Sequence, residues 1–309
     1  MNSVMTMEAK VPTIEWSRLG HVYVVANGKG GVGKTTTAAH MAGLMAMDGA
    51  RTLIVDLNGQ GNISTLLGIA NKEVDDGGRN LFSAITAGAP LTPARDVRPN
   101  LDVVMGGPYI RKINPVLSGE MTSKESADRA YLGLADALQR ISHHYRLIII
   151  DSPPENQMLL QLALSAARFV IIPMAPSAFS RVGLREVATE IRGARERNPL
   201  LTLLAVFVFA SISGATSLRK NFLKTVEEDL GGRTDVLLTE FIRHAETVGE
   251  QMAKFGLLAY ELENEIKNNP KQVAKTNKGV AEDYDKLTRK ILRTARARQA
   301  EMIELGVWK

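Results

Sequence analysis

Between Asn27 and Thr36 the chain reads Asn27-Gly28-Lys29-Gly30-Gly31-Val32-Gly33-Lys34-Thr35-Thr36, with glycines and two lysines closed by two hydroxyl side chains. Gly28 and Gly33, followed at once by Lys34 and Thr35, meet the G-x-x-x-x-G-K-[ST] spacing of a phosphate-binding loop. Glycine lets backbone amides turn toward phosphate oxygens with no Cβ in the way. A helix opening at Lys34 adds the positive end of its dipole. Lys34 is then expected to reach the β- and γ-phosphates of a nucleoside triphosphate, and Thr35 to place its hydroxyl on Mg²⁺. Gly28, Gly30 and Gly33 also satisfy the G-x-G-x-x-G spacing of a dinucleotide fold, with Asp56 roughly where a ribose-binding acid stands. Lys34 and Thr35 decide against it, because a lysine and a hydroxyl beside the last glycine serve a triphosphate and its metal. Lys29 is surplus to the loop, which already has Lys34. It is expected to act across an interface on a partner's nucleotide, the plain alternative being a solvent-facing lysine.

Two acids complete the set. Asp56 ends the apolar run Thr52–Asp56, and Asp151 ends the run beginning at Leu147 and is followed by Ser152-Pro153-Pro154. Strand C-termini in an α/β sheet converge on the ligand crevice. Asp151 is read as the acid that holds Mg²⁺ directly or through its waters, and Asp56 as a second group on the metal side. Strand-end caps are the bland alternative for both.

These residues need a scaffold that brings strand ends together. Apolar runs at His21–Ala26, Thr52–Asp56, Leu101–Met105, Leu147–Ile150, Phe169–Ile172 and Leu203–Phe209 read as strands, with Val236–Ile242 a weaker candidate. Helical patterns over Lys34–Met47, Ser123–Ser142, Met158–Ala167, Arg181–Arg197 and Leu218–Leu230 alternate with them. This order predicts a mainly parallel β-sheet with helices on both faces, in the P-loop NTPase class of α/β folds. Glu246–Glu265 and Gly279–Leu305 read as tail helices, with Asn268-Asn269-Pro270 as the break between them. The expected organisation is an N-terminal arm over 1–20, an ATPase domain over 21–265 and a basic helical C-terminal extension over 266–309. The arm reads as a loose segment or an edge element added to the core.

The composition agrees. Apolar residues make up 45% of the 309, but Phe, Trp and Tyr only 5%, as suits aliphatic helices laid over a buried parallel sheet. The absence of cysteine excludes disulfides, iron–sulfur clusters and thiolate zinc sites, and fits a reducing cytoplasm. No apolar run is long enough to cross a bilayer, and the first twenty residues lack the apolar core of a signal peptide. The formal charge is +5, yet residues 266–309 alone hold eleven Lys or Arg against five Asp or Glu. The positive charge therefore sits in the extension, an asymmetry that favours polyanions.

The run Lys29 to Thr36, together with Asp56–Gly61 and Ile150-Asp151-Ser152-Pro153-Pro154, resembles the ParA/MinD family of deviant Walker A ATPases, and most of all its small ParA-type members. The resemblance runs from about His21 to Leu262; the Lys29 loop carries it most specifically and later parts match in layout only. It implies an ATP-dependent homodimer with two nucleotides sandwiched between subunits, Lys29 reaching the partner's ATP. It also implies ATP and Mg²⁺ as cofactors, DNA binding without sequence preference, and a centromere-binding adaptor that stimulates hydrolysis. A cytoplasmic, nucleoid-associated location follows. One departure stands out. Members of the family commonly read D-x-D-P-Q-G where this chain reads Asp56-Leu57-Asn58-Gly59-Gln60-Gly61. Asn58 takes the place of an aspartate thought to orient or activate the attacking water, and Gly59 that of a proline. An amide holds water by hydrogen bonds but is no base at neutral pH. Slow hydrolysis is one expectation; the other is ordinary activity, with Gln60 or a water network doing the positioning.

The tail leaves two functional classes open. Lys286, Arg289, Lys290, Arg293, Arg296 and Arg298 lie beside an apolar stripe of Leu287, Ile291, Leu292 and Ala295. Such a helix suits DNA phosphates, to which Arg243 and His244 are further candidate contacts. Its terminal Trp308 and basic face also suit a membrane interface, the less favoured reading, and the plainest alternative is a helix docked on its own body. The first class is a partition ATPase on DNA; the second is a positioning or conjugation-associated relative acting on a membrane or protein cargo.

Overall fold

In a computed structural model that describes residues 10–268 and 274–308, the chain alternates strands and helices. The first half holds β1 (Val22–Val25), α1 (Lys34–Met47), β2 (Thr52–Asp56), α2 (Asn62–Leu66), α3 (Arg79–Ala87), β3 (Ala94–Arg98), β4 (Leu101–Val104), α4 (Ile113–Glu120) and α5 (Lys124–Ile141). There follow β5 (Leu147–Asp151), α6 (Gln157–Ala166), β6 (Phe169–Met174), α7 (Ala178–Ala194), β7 (Thr202–Ser211) and α8 (Thr216–Asp229). The chain then forms β8 (Leu237–Arg243), α9 (Glu246–Phe255), α10 (Ala259–Asn268) and α11 (Asn277–Glu304). The strands make one eight-stranded sheet in the order β3-β4-β2-β5-β1-β6-β7-β8. All neighbours are parallel except β3 and β4.

The side-chain period of two splits each strand between the sheet's faces. Val22, Val24, Ile148 and Ile150 join α5, α6 and α7 in one core; Tyr23, Val25, Leu147 and Ile149 join α1, α9 and α11 in the other. Both faces are covered, so the central strands are buried along their whole length.

The expected strands are all present, and Val236–Ile242 is realised as β8 at the sheet edge. The antiparallel β3 was not expected, because Ala-Arg-Asp-Val-Arg has no apolar run. Asp102, buried at the start of β4, organises it: Arg51 and Arg95 pair with its carboxylate, and Asp96 donates its backbone N–H to it at 2.8 Å. The expected single helix over Glu246–Glu265 is two helices. Gly256 breaks it in the left-handed region (φ +63°) and packs so tightly on Gly68 that a Cβ would strike that backbone. The break expected at Asn268-Asn269-Pro270 lies mostly outside the described residues, as do residues 1–9 of the arm. Residues 10–20 lie against α5, where Glu15 and Thr13 bond the Gln139 side chain.

The basic tail is packed into the body by its helix. Val280, Tyr284, Leu287, Ile291 and Ala295 form a buried stripe on α11 at three- and four-residue spacing, against β8 and α1. His40 of α1 is the polar centre of that contact. Its ring stacks on Tyr284 at 3.7 Å between centroids. Its Nδ1 lies 2.7 Å from the Thr36 carbonyl oxygen, and its Nε2 accepts the Ala259 N–H at 3.0 Å. The carbonyl requires a proton on Nδ1 and the amide forbids one on Nε2, so the ring is held neutral in one tautomer. Burial, partly offset by the bond to Thr36, lowers its pKa to about 4.

A group whose folded pKa lies below its unfolded value stabilises the fold fully only above the unfolded value. His40 should therefore withdraw roughly 3 kcal/mol of stability as pH falls from about 6.5 to about 4. Urea unfolding of wild type and His40→Gln across this range should show the wild type losing stability relative to the variant as pH falls. Parallel curves would remove the argument.

Candidate functional site

β1 runs into the glycine loop at the C-terminal edge of the sheet. Asn27, 1% exposed, braces it: its Oδ1 accepts the Lys29 N–H at 2.9 Å and its Nδ2 donates to the Pro173 carbonyl at 2.8 Å. The Gly28 carbonyl accepts the Glu155 N–H. Gly30 and Gly31 are exposed and Val32 is buried beneath them. Gly33 takes φ +81° at the start of α1, under the ring of Phe209, which any Cβ would strike. Glycine is required there by both conformation and space.

Lys34 is 6% exposed and donates its Nζ to the Lys29 carbonyl at 2.7 Å. Burial lowers its pKa to about 8, against the opposing charges of Asp151 and Glu155. Thr35 donates its Oγ1–H to Asp151 Oδ2 at 2.7 Å; Thr36 bonds the Gly33 carbonyl with its hydroxyl. The loop thus ends in a buried ammonium beside a hydroxyl–carboxylate pair.

β2 and β5 are adjacent, and Asp56 is the register partner of Asp151. Both are wholly buried. Burial pushes Asp151 up to about 7, against the Thr35 hydroxyl and the Lys34 ammonium. Burial and the Asp151 charge push Asp56 well above the usual carboxylate range. Their roles diverge. Asp56 accepts backbone N–H groups on both oxygens, from Asn58 at 2.8 Å and Ile63 at 3.2 Å, and so anchors the loop that follows β2. Asp151 Oδ1 is buried without a hydrogen-bond partner among the described residues. That orphaned oxygen beside the Thr35 hydroxyl suits a hard cation with oxygen ligands. No cluster of three or more His, Cys, Asp or Glu among the described residues could hold a metal alone. Mg²⁺ fits this donor set because it is commonly held by one or two carboxylates plus phosphate oxygens and water.

Asn58 is 7% exposed. Its Oδ1 accepts the Gln60 N–H at 3.0 Å and its carbonyl accepts the Gly61 and Gly107 N–H groups. With Gln60, Asn62, Pro154 and Phe209 it completes the walls of a 430 Å³ cavity over Gly30, Gly31, Gly33 and Lys34–Thr36. A second cavity of 250 Å³ shares Gly31, Thr36 and Phe209 and continues toward Val248 and Tyr284. Arg243 and His244 line it, so these two lie beside the phosphate loop. The Arg243 guanidinium is paired with Asp283, at 2.7 Å for Nε. Lys286, Arg289, Lys290, Arg293 and Arg296 stand exposed on α11. Arg289 pairs with Asp285, and Arg298 with Asp235 and Glu301. Pro154 belongs to the segment after Asp151 that the sequence singled out, whereas Phe209 gave no sign, because nothing local distinguishes an aromatic that faces a phosphate loop from one that faces the core.

A phosphate loop after the central strand, with an acid at the end of the neighbouring one, defines a P-loop nucleotide-binding protein of the doubly wound class. An AAA domain model matches residues 20–203. The chromosome partitioning protein ParA of Caulobacter vibrioides is 30% identical over 289 residues, 91% of this chain and 97% of the relative. The chain belongs to the ParA/MinD family of P-loop ATPases related to partition proteins. Solved structures share the fold at lower identity. McdA of Cyanothece, in a complex with ATP, gives a TM-score of 0.69 at 20% identity, over 88% of this chain and 95% of that one. The septum site-determining protein MinD of Pyrococcus horikoshii, complexed with Mg-ADP, gives 0.59 at 17%, over 86% and 95%.

An anion seated on Lys34 should keep its ammonium protonated. Nucleotide affinity should hold below pH ~8 and fall as pH rises above that value, with proton uptake on binding. Lys34→Ala should cost about a hundredfold in affinity and abolish this pH dependence. Calorimetry in buffers of different ionisation enthalpy measures both; equal affinity in variant and wild type would dismiss the role of Lys34.

Proposed function

We propose that this chain is an ATP-dependent, dimerising partition ATPase. It would convert ATP and water to ADP and phosphate and, as the ATP dimer, hold DNA without sequence preference under the control of a centromere-binding adaptor. The observation that carries the reading is the Lys29 loop in its structural setting, within a chain similar along 91% of its length to a chromosome partitioning protein. Lys34 and the loop amides would hold the β- and γ-phosphates. Thr35 and Asp151 would hold Mg²⁺, which neutralises charge on the phosphates. The smaller cavity beside Phe209 has room for the rest of the nucleotide. Lys29, half-buried in the loop, would reach the nucleotide of a second subunit. The cytoplasm and nucleoid are the matching locations.

DNA is favoured over a membrane by how the tail is used. Lys286, Lys290 and Arg293 are exposed at three- and four-residue spacing and have no carboxylate partner among the described residues. Trp308 lies against Phe169 and Arg168, with its ring 4.1 Å from the guanidinium carbon, so it is engaged with the protein itself. No helix among the described residues is long and apolar enough to cross a membrane.

Light scattering should show an ATP-dependent doubling of mass that Lys29→Ala abolishes while retaining most of its ATP affinity; an unchanged dimer in the variant would sink the sandwich. The ATP form should retain duplex DNA with steep salt dependence. Replacing Lys286, Lys290 and Arg293 by Ala should lower the log–log salt slope by about 1 per charge. Vesicle binding without DNA retention would favour the membrane or cargo reading.

Hydrolysis is proposed to be slow because Asn58 can orient a water but cannot take its proton. Asn58→Asp should raise unstimulated turnover by about tenfold or more. A turnover unmoved by the substitution would assign water positioning to Gln60 or to solvent.

A further inference from the structure

At the opposite, N-terminal edge of the sheet, a cavity of about 570 Å³ opens between the starts of β1 and β5, the end of α1 and the tail. It is separated from the phosphate loop by the length of β1, roughly 15 Å at the rise of a strand. Its size falls within the range of about 300–1,000 Å³ usual for small-ligand sites. Its lining includes Arg146, Arg296 and Gln299, the rings of Tyr23, Tyr145 and Trp308, and no carboxylate. Arg146 and Arg296 have no ion pair among the described residues, although carboxylates elsewhere on this surface are claimed by Arg51, Arg95 and Arg289.

Tyr23 makes the cavity more than a basic cleft. It is 7% exposed, yet its hydroxyl has no hydrogen-bond partner among the described residues. A phenol buried on a central strand ordinarily finds one. Tyr23 lines the cavity, where a ligand could accept from that donor. At the rim, Trp308 is half-buried, its ring 6.2 Å from that of Phe169 between centroids and beside the Arg168 guanidinium. Arg168 is itself 4% exposed and has no carboxylate partner among the described residues. Two cations, a neutral donor and flat aromatic walls are what a phosphate attached to an aromatic base requires.

We infer that this cavity is a second nucleotide site, binding the phosphate of a nucleoside monophosphate through Arg146, Arg296 and Tyr23 and its base against Trp308. The chemistry serves a free nucleotide and a nucleotide within a strand alike. The inference does not rest on the function proposed for the phosphate loop.

The test uses full-length protein with Trp16→Phe, leaving Trp308 as the reporter, since the chain has two tryptophans. AMP is titrated with and without Lys34→Ala, which separates this site from the phosphate loop. Saturable change in Trp308 emission that survives Lys34→Ala is expected. Arg146→Ala should weaken it about tenfold and Tyr23→Phe about fivefold, with thermal melts confirming that both variants fold. Competition by single-stranded oligothymidylate would assign the site to a strand; its absence would assign it to the free nucleotide. No saturable AMP signal at millimolar concentration would overturn the inference. So would equal affinity in Arg146→Ala, or the same response to inorganic phosphate at matched ionic strength.

Discussion

Two buried carboxylates side by side at the ends of β2 and β5 are the constraint around which the upper edge of this protein is arranged. Adjacent buried acids repel and resist ionisation unless something positive or hydrogen-bonding meets them. The molecule answers differently for each. Asp56 is saturated by two amides of the loop that follows it, and so ties Asn58 and Ile63 to the strand end. Asp151 is left with one oxygen on Thr35 and one unclaimed, with the Lys34 ammonium close enough to oppose its neutralisation. A site so built is poised for a cation and an anion together, which is the composition of a magnesium-bound triphosphate.

The same edge is coupled to the basic tail through a short chain of contacts. Thr36 lines the phosphate cavity, its carbonyl is bonded by His40, and His40 stacks on Tyr284 of α11. A shift in the first turn of α1 must either move the tail helix or break a buried hydrogen bond. The helix that displays Lys286, Lys290 and Arg293 is therefore a packed element of the second core, seated on α1.

Much of this was legible in the sequence. The phosphate loop reads locally, because glycine, lysine and threonine must occupy contiguous positions for their amides, ammonium and hydroxyl to converge. The strands read well because a sheet covered on both faces needs nearly unbroken apolar runs. The features that escaped depend on distant partners. β3 is polar and exists because Asp102 collects arginines from two segments, Arg51 and Arg95. The helix over Glu246–Glu265 breaks at Gly256 because Gly68, far away in the chain, requires the space. Phe209 covers the loop from a strand more than 170 residues downstream.

By itself the sequence determined the loop chemistry, the alternating architecture and the concentration of positive charge at the C-terminal end, since each is a property of neighbouring residues or of composition. Only the tertiary structure decided which charges are spent and which remain. Arg243 is neutralised by Asp283 and Arg289 by Asp285, and Asp56 is hydrogen-bonded by its own loop, whereas among the described residues Asp151, Arg146 and Arg296 keep unmatched groups. An ion pair depends on the separation of two side chains in space, and no spacing along the chain encodes that distance.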